Sequence, residues 1–302
     1  MTLAHSAEEL ARRRYLEDTT ARRLRRAVGD FIRRRPLGTF GALIIIVMIL
    51  AAFFADLVAP YGPFEGEFTG LPTPPSLEHP LGTDGFGRDV LSRLIYGSQT
   101  ALLVGFTASL VGSTLGLVLG IVGAYFGGKV DELIQRLMDV LISFPLIVIA
   151  IAVIAALGPG TTNVIVAITL PVIPRVARVV RSSGLAIVQM PYIEAARSIG
   201  VRAPRIMFRH IAPNVFAPYL IMLTAFLGQA ILLEASLSFL GLGVVEPTPA
   251  WGLMLRGQGM LFLDQSPHLA IAPGVAISLS VFGFNLFGDS LRDALDPRLR
   301  TA

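Results

Sequence analysis

The chain has 302 residues, 53% hydrophobic and 15% charged, with a formal net charge of +4 and a mean hydropathy of +0.68. So much apolar content with so little charge excludes an ordinary soluble domain and points to insertion in a bilayer. The lack of Cys excludes a disulfide framework and a thiolate metal site. The four His (His5, His79, His210, His268) have no metal-ligand spacing, so no metal site is assigned.

Residues 1–37 are Arg-rich. Within 7–35, Leu24, Val28, Phe31 and Ile32 fall on one helical face. Ringed by Arg, that face suits a helix lying on anionic lipid of the inner leaflet, and a disordered basic tail satisfies the same pattern. The apolar run 38–58 is long enough to span, since about 20 residues cross a bilayer. The charged region before it is too long for a cleaved signal peptide, so an uncleaved first helix is expected.

Residues 59–99 read as an extracytoplasmic loop. Six prolines between Pro60 and Pro80 forbid a long helix there. After Gly87, Val90, Leu91, Leu94 and Ile95 form an apolar stripe, and Asp89 and Arg93 an i,i+4 pair. A short surface helix is expected before the second span. The motif "DGFGRD" lacks the chelating Glu of a calcium loop.

The second span, 100–125, carries small residues at Ala101, Gly105, Ser109, Gly112, Gly116, Gly120, Gly123 and Gly127. They share one face, so the helix should pack closely on a partner, with Gly112, Gly116 and Gly120 at the centre. That partner lies within the chain or in another subunit. The stretch "GAYFGGKV" approaches a phosphate-binding loop, but Val130 stands where a hydroxyl is needed, so no nucleotide site is assigned.

Further spans are expected over 134–157, 162–181, 215–240 and 269–289, giving six and an all-α membrane protein. Pro171 and Pro174 offer bends in the fourth. "RSSG" (181–184) lacks the first Gly of an intramembrane serine nucleophile. Glu234 is the one ionisable residue deep in a span, with Ser238 one turn away. It is either a carboxyl hydrogen-bonded to neighbouring helices or, with Ser238 and Gln229, part of a substrate path.

With the N-terminus in the cytoplasm, 22 of the 25 Lys and Arg fall inside, leaving Arg88, Arg93 and Arg256 outside. Both termini, the tail 290–302 and the charged stretch 191–213 are then cytoplasmic. The basic residues thus follow membrane topology, and nucleic acid is not an expected partner.

The stretch "EAARSIGVRAPRIMFRHIAPN" (194–214) interrupts two apolar runs. Pro191 suits a first helical position and Gly200 a left-handed C′ position. Pro204 starts a second short helix, "PRIMFRHI", ahead of Pro213. An exposed helix–turn–helix follows, in which Ala195 and Ala196 present a flat surface while Glu194 and Arg197 pair across an interface. An ordinary solvated loop needs neither two helix starts nor a Gly stop.

The spacing Glu194-Ala195-Ala196, Gly200, Pro213 resembles the EAA loop of ABC importer permeases. "HPLGTDGFGRDVLSRLIYGSQTALLVG" (79–105), "FPLIVIAIA" (144–152), "EASLSFLGLGVVEPTPAWG" (234–252) and "DSLRDALDPRLR" (289–300) resemble the second (C-type) permease of the dipeptide/oligopeptide/nickel importer family. The chain has His210 and Ala212 where the full EAA pattern has Ile and Leu. The resemblance implies a type I importer permease fold, with a core permease domain over 100–289 and a coupling helix whose docking residues are Glu194, Ala195, Ala196, Arg197, Gly200, Arg205 and Pro213. It also implies a second homologous permease, two cytoplasmic ATPases that bind ATP and Mg, an extracytoplasmic substrate-binding protein and a bacterial or archaeal cytoplasmic membrane. This chain itself would bind no cofactor and catalyse no reaction. Peptides are the expected cargo, with nickel or another small solute as the alternative, and a stand-alone secondary transporter as the rival class.

Overall fold

A computed structural model describes residues 29, 31–33, 35–68 and 70–295. The expected N-terminal amphipathic helix lies largely outside the described residues, as does the tail from 296 on. Eleven α-helices are described from Pro36 onward. Helix α1 (Pro36–Phe53) opens on its proline and is followed by one turn, α2 (Ala55–Val58). Helix α3 is Val90–Phe126, α4 Gly128–Ile142, α5 Leu146–Leu157 and α6 Thr161–Val188. Two short helices, α7 (Pro191–Ser198) and α8 (Ala203–Ile206), precede α9 (Phe216–Phe239). One turn, α10 (Trp251–Met254), precedes α11 (His268–Leu295). Five of these (α1, α3, α6, α9, α11) are individually long and apolar enough to cross a membrane.

The expected third span, 134–157, is not one rod. Helices α4 and α5 meet at 90° across Ser143, Phe144 and Pro145. Proline pushes the residue before it out of the helical region, and its ring blocks the preceding turn. Pro145 caps α5 in an extended conformation. The two halves are together long and apolar enough to cross, so the described helices offer five crossings, or six if this bent pair is one of them.

The second span also differs. No separate surface helix precedes it. Helix α3 runs unbroken for 37 residues, roughly 55 Å at 1.5 Å per residue. Its first turns stay helical because loop segments bury them: Ser92, Arg93, Ser98 and Thr100 are all buried.

The small-residue face of α3 finds its partners inside the chain. Added Cβ atoms at Gly112, Gly116 and Gly120 would stand 2.9 Å from Val172 Cβ, 2.7 Å from Val176 Cβ and 2.7 Å from the Ala177 carbonyl oxygen, all on α6. One at Gly105 would stand 2.8 Å from Ile231 on α9. Gly127 is an exception: it meets nothing and ends the helix. Helix α5 closes this core by placing Leu146, Ala150 and Ile154 against Val104, Ala108, Ile168 and Leu237. On the other flank α1 and α11 pack together, and Met48, Ile277 and Phe284 join Trp251 and Ile231.

The segments 59–89 and 240–267 close the end of the bundle where α3 begins. Asp89 caps α3: its Oδ2 accepts from the Ser92 amide and hydroxyl, each at 2.7 Å, while Oδ1 lies 3.0 Å from His79 Nδ1. The expected Asp89–Arg93 pair therefore does not form. Arg93 turns instead to the Pro63 carbonyl at 3.0 Å, the Pro247 carbonyl at 3.4 Å and Glu246 at 3.6 Å. Asp84 accepts from the Phe86 and Arg88 amides and from Arg88 Nε. Both carboxylates of "DGFGRD" are thus held by protein donors.

Candidate functional site

The segment Pro191–Val215 stands at the opposite end of the bundle, where α6 stops and α9 starts. Pro191 occupies the first turn of α7, and Gly200 ends it with φ +76°. The Gly200 amide donates to the Arg197 carbonyl at 2.9 Å and the Val201 amide to that of Ala196 at 3.0 Å. This is the paired closure that a left-handed C′ residue permits. A Cβ at Gly200 would meet nothing within 4 Å, so the requirement for glycine there is conformational, not steric.

The second helix is shorter than "PRIMFRHI". It is α-helical over Ala203–Ile206 and then widens to an i→i+5 turn over Met207–Ile211, closed by the Ala212 amide on the Met207 carbonyl at 2.8 Å. An α-helical pitch would aim side chains five residues apart in diverging directions. The wider turn brings them onto one side. Ile206 and Ile211 are in fact both fully buried.

These isoleucines seat the element. With Ile193 and Ala196 they pack against Val172, Val176 and Val180 of α6, and against Val215 and Phe226 at α9. Two sequence expectations need correction here. Ala196 does not share a free surface with Ala195, because it is buried in this seat while Ala195 is exposed. Arg197 is engaged within the chain: its guanidinium stacks on Tyr125, 4.6 Å from the ring centre, and reaches the Tyr125 carbonyl at 3.4 Å.

What projects outward is Glu194, Ala195, Gly200, Arg205 and Pro213. Ile199 and Phe208, 81% and 73% exposed, join them. Sequence reasoning passed over both apolar residues. Their signal was a large apolar side chain just after α7 and another in the wide turn after α8, within an otherwise polar stretch.

The membrane-embedded polar residues divide in two. Ser238 Oγ donates to Glu234 Oε1 at 2.7 Å and accepts from the Val244 amide at 3.1 Å, and both side chains are buried. The hydrogen bonds of this pair stay within the helix of Glu234 and the turn that follows, and do not reach neighbouring helices. Gln229 does not join them. It lies on the exposed face of α9 with Ala225, Leu232 and Phe239, well round the helix from Glu234.

At the loop-covered end, Arg88 bridges Asp84 at 2.8 Å and Glu246 at 3.2 Å, which links the two closing segments. Sequence reasoning did not anticipate this bridge, since its partners are 158 residues apart. Near α6 the Arg181–Asp131 and Arg178–Asp139 pairs tie α4 to the helix that leads into Pro191.

Comparison with known proteins agrees with this arrangement. Residues 112–301 match the family described as binding-protein-dependent transport system inner membrane component. Residues 24–75 match the N-terminal transmembrane domain of oligopeptide transport permease C. A glutathione transport system permease protein of Escherichia coli is 43% identical over 269 residues, covering 89% of this chain and 88% of that protein. A Brucella suis biovar 1 protein, provisionally named a peptide transport system permease, is 42% identical over 93% of this chain and 92% of its own length. In fold, 68% of this chain superposes on 96% of a chain of the inward-facing MetNI methionine ABC transporter, at 20% identity and a TM-score of 0.53.

Proposed function

This chain belongs to the inner-membrane-component family of binding-protein-dependent transport systems, as a permease subunit of an ABC importer, and we propose from that membership that its cargo is short peptides. The relatives named for glutathione and peptide transport support that substrate class. In this reading the chain forms half of the translocation path and a second, homologous permease forms the other half. Two cytoplasmic ATPases bind and hydrolyse ATP with Mg, and an extracytoplasmic binding protein delivers the peptide. The complex sits in the cytoplasmic membrane of a bacterium or archaeon, with both termini of this chain inside. The bias of Lys and Arg toward one side supports that orientation.

The observation that carries the reading is the outward face of the Pro191–Val215 element set against its buried underside. Glu194, Ala195, Arg205, Ile199 and Phe208 are free to meet a partner, while Ile193, Ala196, Ile206 and Ile211 are locked to α6 and α9. A partner that moves this element must therefore move those spans. It does so only by binding differently in its two nucleotide states, because equal affinity shifts no equilibrium.

Two variants test the docking role in the reconstituted complex. Glu194→Lys is expected to reduce ATPase co-purification, and unchanged stoichiometry would mean the carboxylate is merely solvated. Gly200→Leu forces a branched side chain into the left-handed region at a cost of about 1–2 kcal/mol. Uptake should fall while basal ATP hydrolysis continues, and Gly200→Asn should behave nearly as the parent. Normal coupling in Gly200→Leu would sink the hinge.

A further inference from the structure

Beside the Arg88–Glu246 bridge opens a 910 Å³ cleft. Phe86, Leu253, Met260 and Leu261 give it apolar walls, and Arg88, Arg256 and the carboxylate of Glu246 give it charge. The two arginines differ in kind. Arg88 is nearly buried and held by Asp84 and Glu246. The Arg256 guanidinium has no hydrogen-bond or ion-pair partner among the described residues. It lies against Gly241, whose missing side chain leaves it room. Gly241 has φ +79°, so glycine there is suited both to the turn and to the approach of the arginine.

The place of this cleft matters as much as its lining. Helix α9 leaves the Pro191–Val215 element and runs 24 residues, roughly 36 Å, before the turn that contains Gly241. The cleft thus sits across the bilayer from the docking element.

We propose that this cleft is the outer entrance subsite of the translocation path, and that Arg256 there binds the terminal carboxylate of an incoming peptide. A guanidinium fork matches a carboxylate in two parallel hydrogen bonds. The apolar walls take side chains of varied shape without a fixed partner for each. The subsite reads what all peptides share and leaves sequence to the binding protein. Glu246 is committed to Arg88 and Arg93, so the amino end is given no partner here.

The inference rests on the peptide-import reading, and the experiment separates the two. Uptake of a tripeptide and of its C-terminal amide is measured in proteoliposomes holding the complete complex, with the same binding protein throughout. The preference of the binding protein then cancels when the carboxylate-to-amide ratio of Arg256→Gln is compared with that of the parent. Arg256 is exposed, so the variant should assemble normally. The ratio is expected to fall about tenfold, through loss of carboxylate uptake alone. An unchanged ratio overturns the subsite. So does an equal loss for both peptides, which would make Arg256 a contact for the binding protein or the second permease. Failure of the parent complex to import either peptide would instead overturn the functional reading.

Discussion

Gly116→Leu is expected to leave no assembled complex in the membrane. Helices α3 and α6 form the most extensive pairing among the described residues, and Gly116 lies at its middle. An added Cβ would already stand 2.7 Å from Val176 Cβ and 2.8 Å from the Ile173 carbonyl oxygen. The carbonyl is backbone, so no change of rotamer relieves the overlap. Overpacking of this kind costs about 1–3 kcal/mol for one or two carbons. Gly116→Ala should therefore lower the thermal midpoint of the solubilised complex measurably while still folding. Leucine adds three more carbons with nowhere to go, and the helices must part. Between helices in lipid there is little hydrophobic drive to restore the contact, because the tails are as apolar as the side chains. Val118→Leu on the same helix is the control, since Val118 is 45% exposed and should tolerate the extra carbon. Co-purification of the partner subunits with Gly116→Leu at parental yield would mean the close approach is wrong.

The small-residue stripe was legible for the same reason that it is vulnerable. Its meaning depends only on spacing along one helix, and spacing is what a sequence displays. Pro191 and Gly200 were legible too, because each obeys a local backbone rule. The elbow at Pro145 was not. The run from Leu141 to Leu157 stays apolar across the proline, and apolar composition alone does not separate a kinked span from two helices at 90°. Ala196 and Arg197 were misplaced because their partners, Ile206 and Tyr125, come from other elements. The helical start at Val90 was read as a separate surface helix from its apolar stripe and the Asp89–Arg93 spacing, whereas α3 carries Ser92, Arg93, Ser98 and Thr100 in one unbroken helix. They are admitted because loops from distant parts of the chain cover them. Thr100 donates to the Pro249 carbonyl at 2.7 Å, and Tyr61 donates its amide to Ser92 Oγ at 3.0 Å.

Arg93→Ala carries the second large effect, at the other end of α3. The residue is 2% exposed, and its guanidinium fastens two pieces of chain: Pro63 before the helix, and the Glu246 carboxylate with the neighbouring Pro247 carbonyl after α9. Removing it leaves two carbonyls without their donor and a void between the segments that close the bundle. Glu246 is half-exposed and returns to water, and it keeps Arg88, so the released carboxylate adds little. The lost charge-assisted hydrogen bonds and the void together amount to about 3 kcal/mol. The thermal midpoint of the complex should drop, and segment 59–89 should become the first site of limited proteolysis. Arg93→Lys should recover less than half of the loss, because an ammonium does not reach divergent acceptors in a planar fork. The outer cleft shares Arg88 and Glu246 with this cluster, so Arg93→Ala should lower peptide uptake as well, by splaying the walls without touching the substrate. That loss should be equal for a peptide and its C-terminal amide, the opposite of the selective loss expected for Arg256→Gln. If Arg93→Ala instead keeps the parental midpoint and proteolysis pattern, the loops are not held by this guanidinium and the bundle end is closed by other contacts.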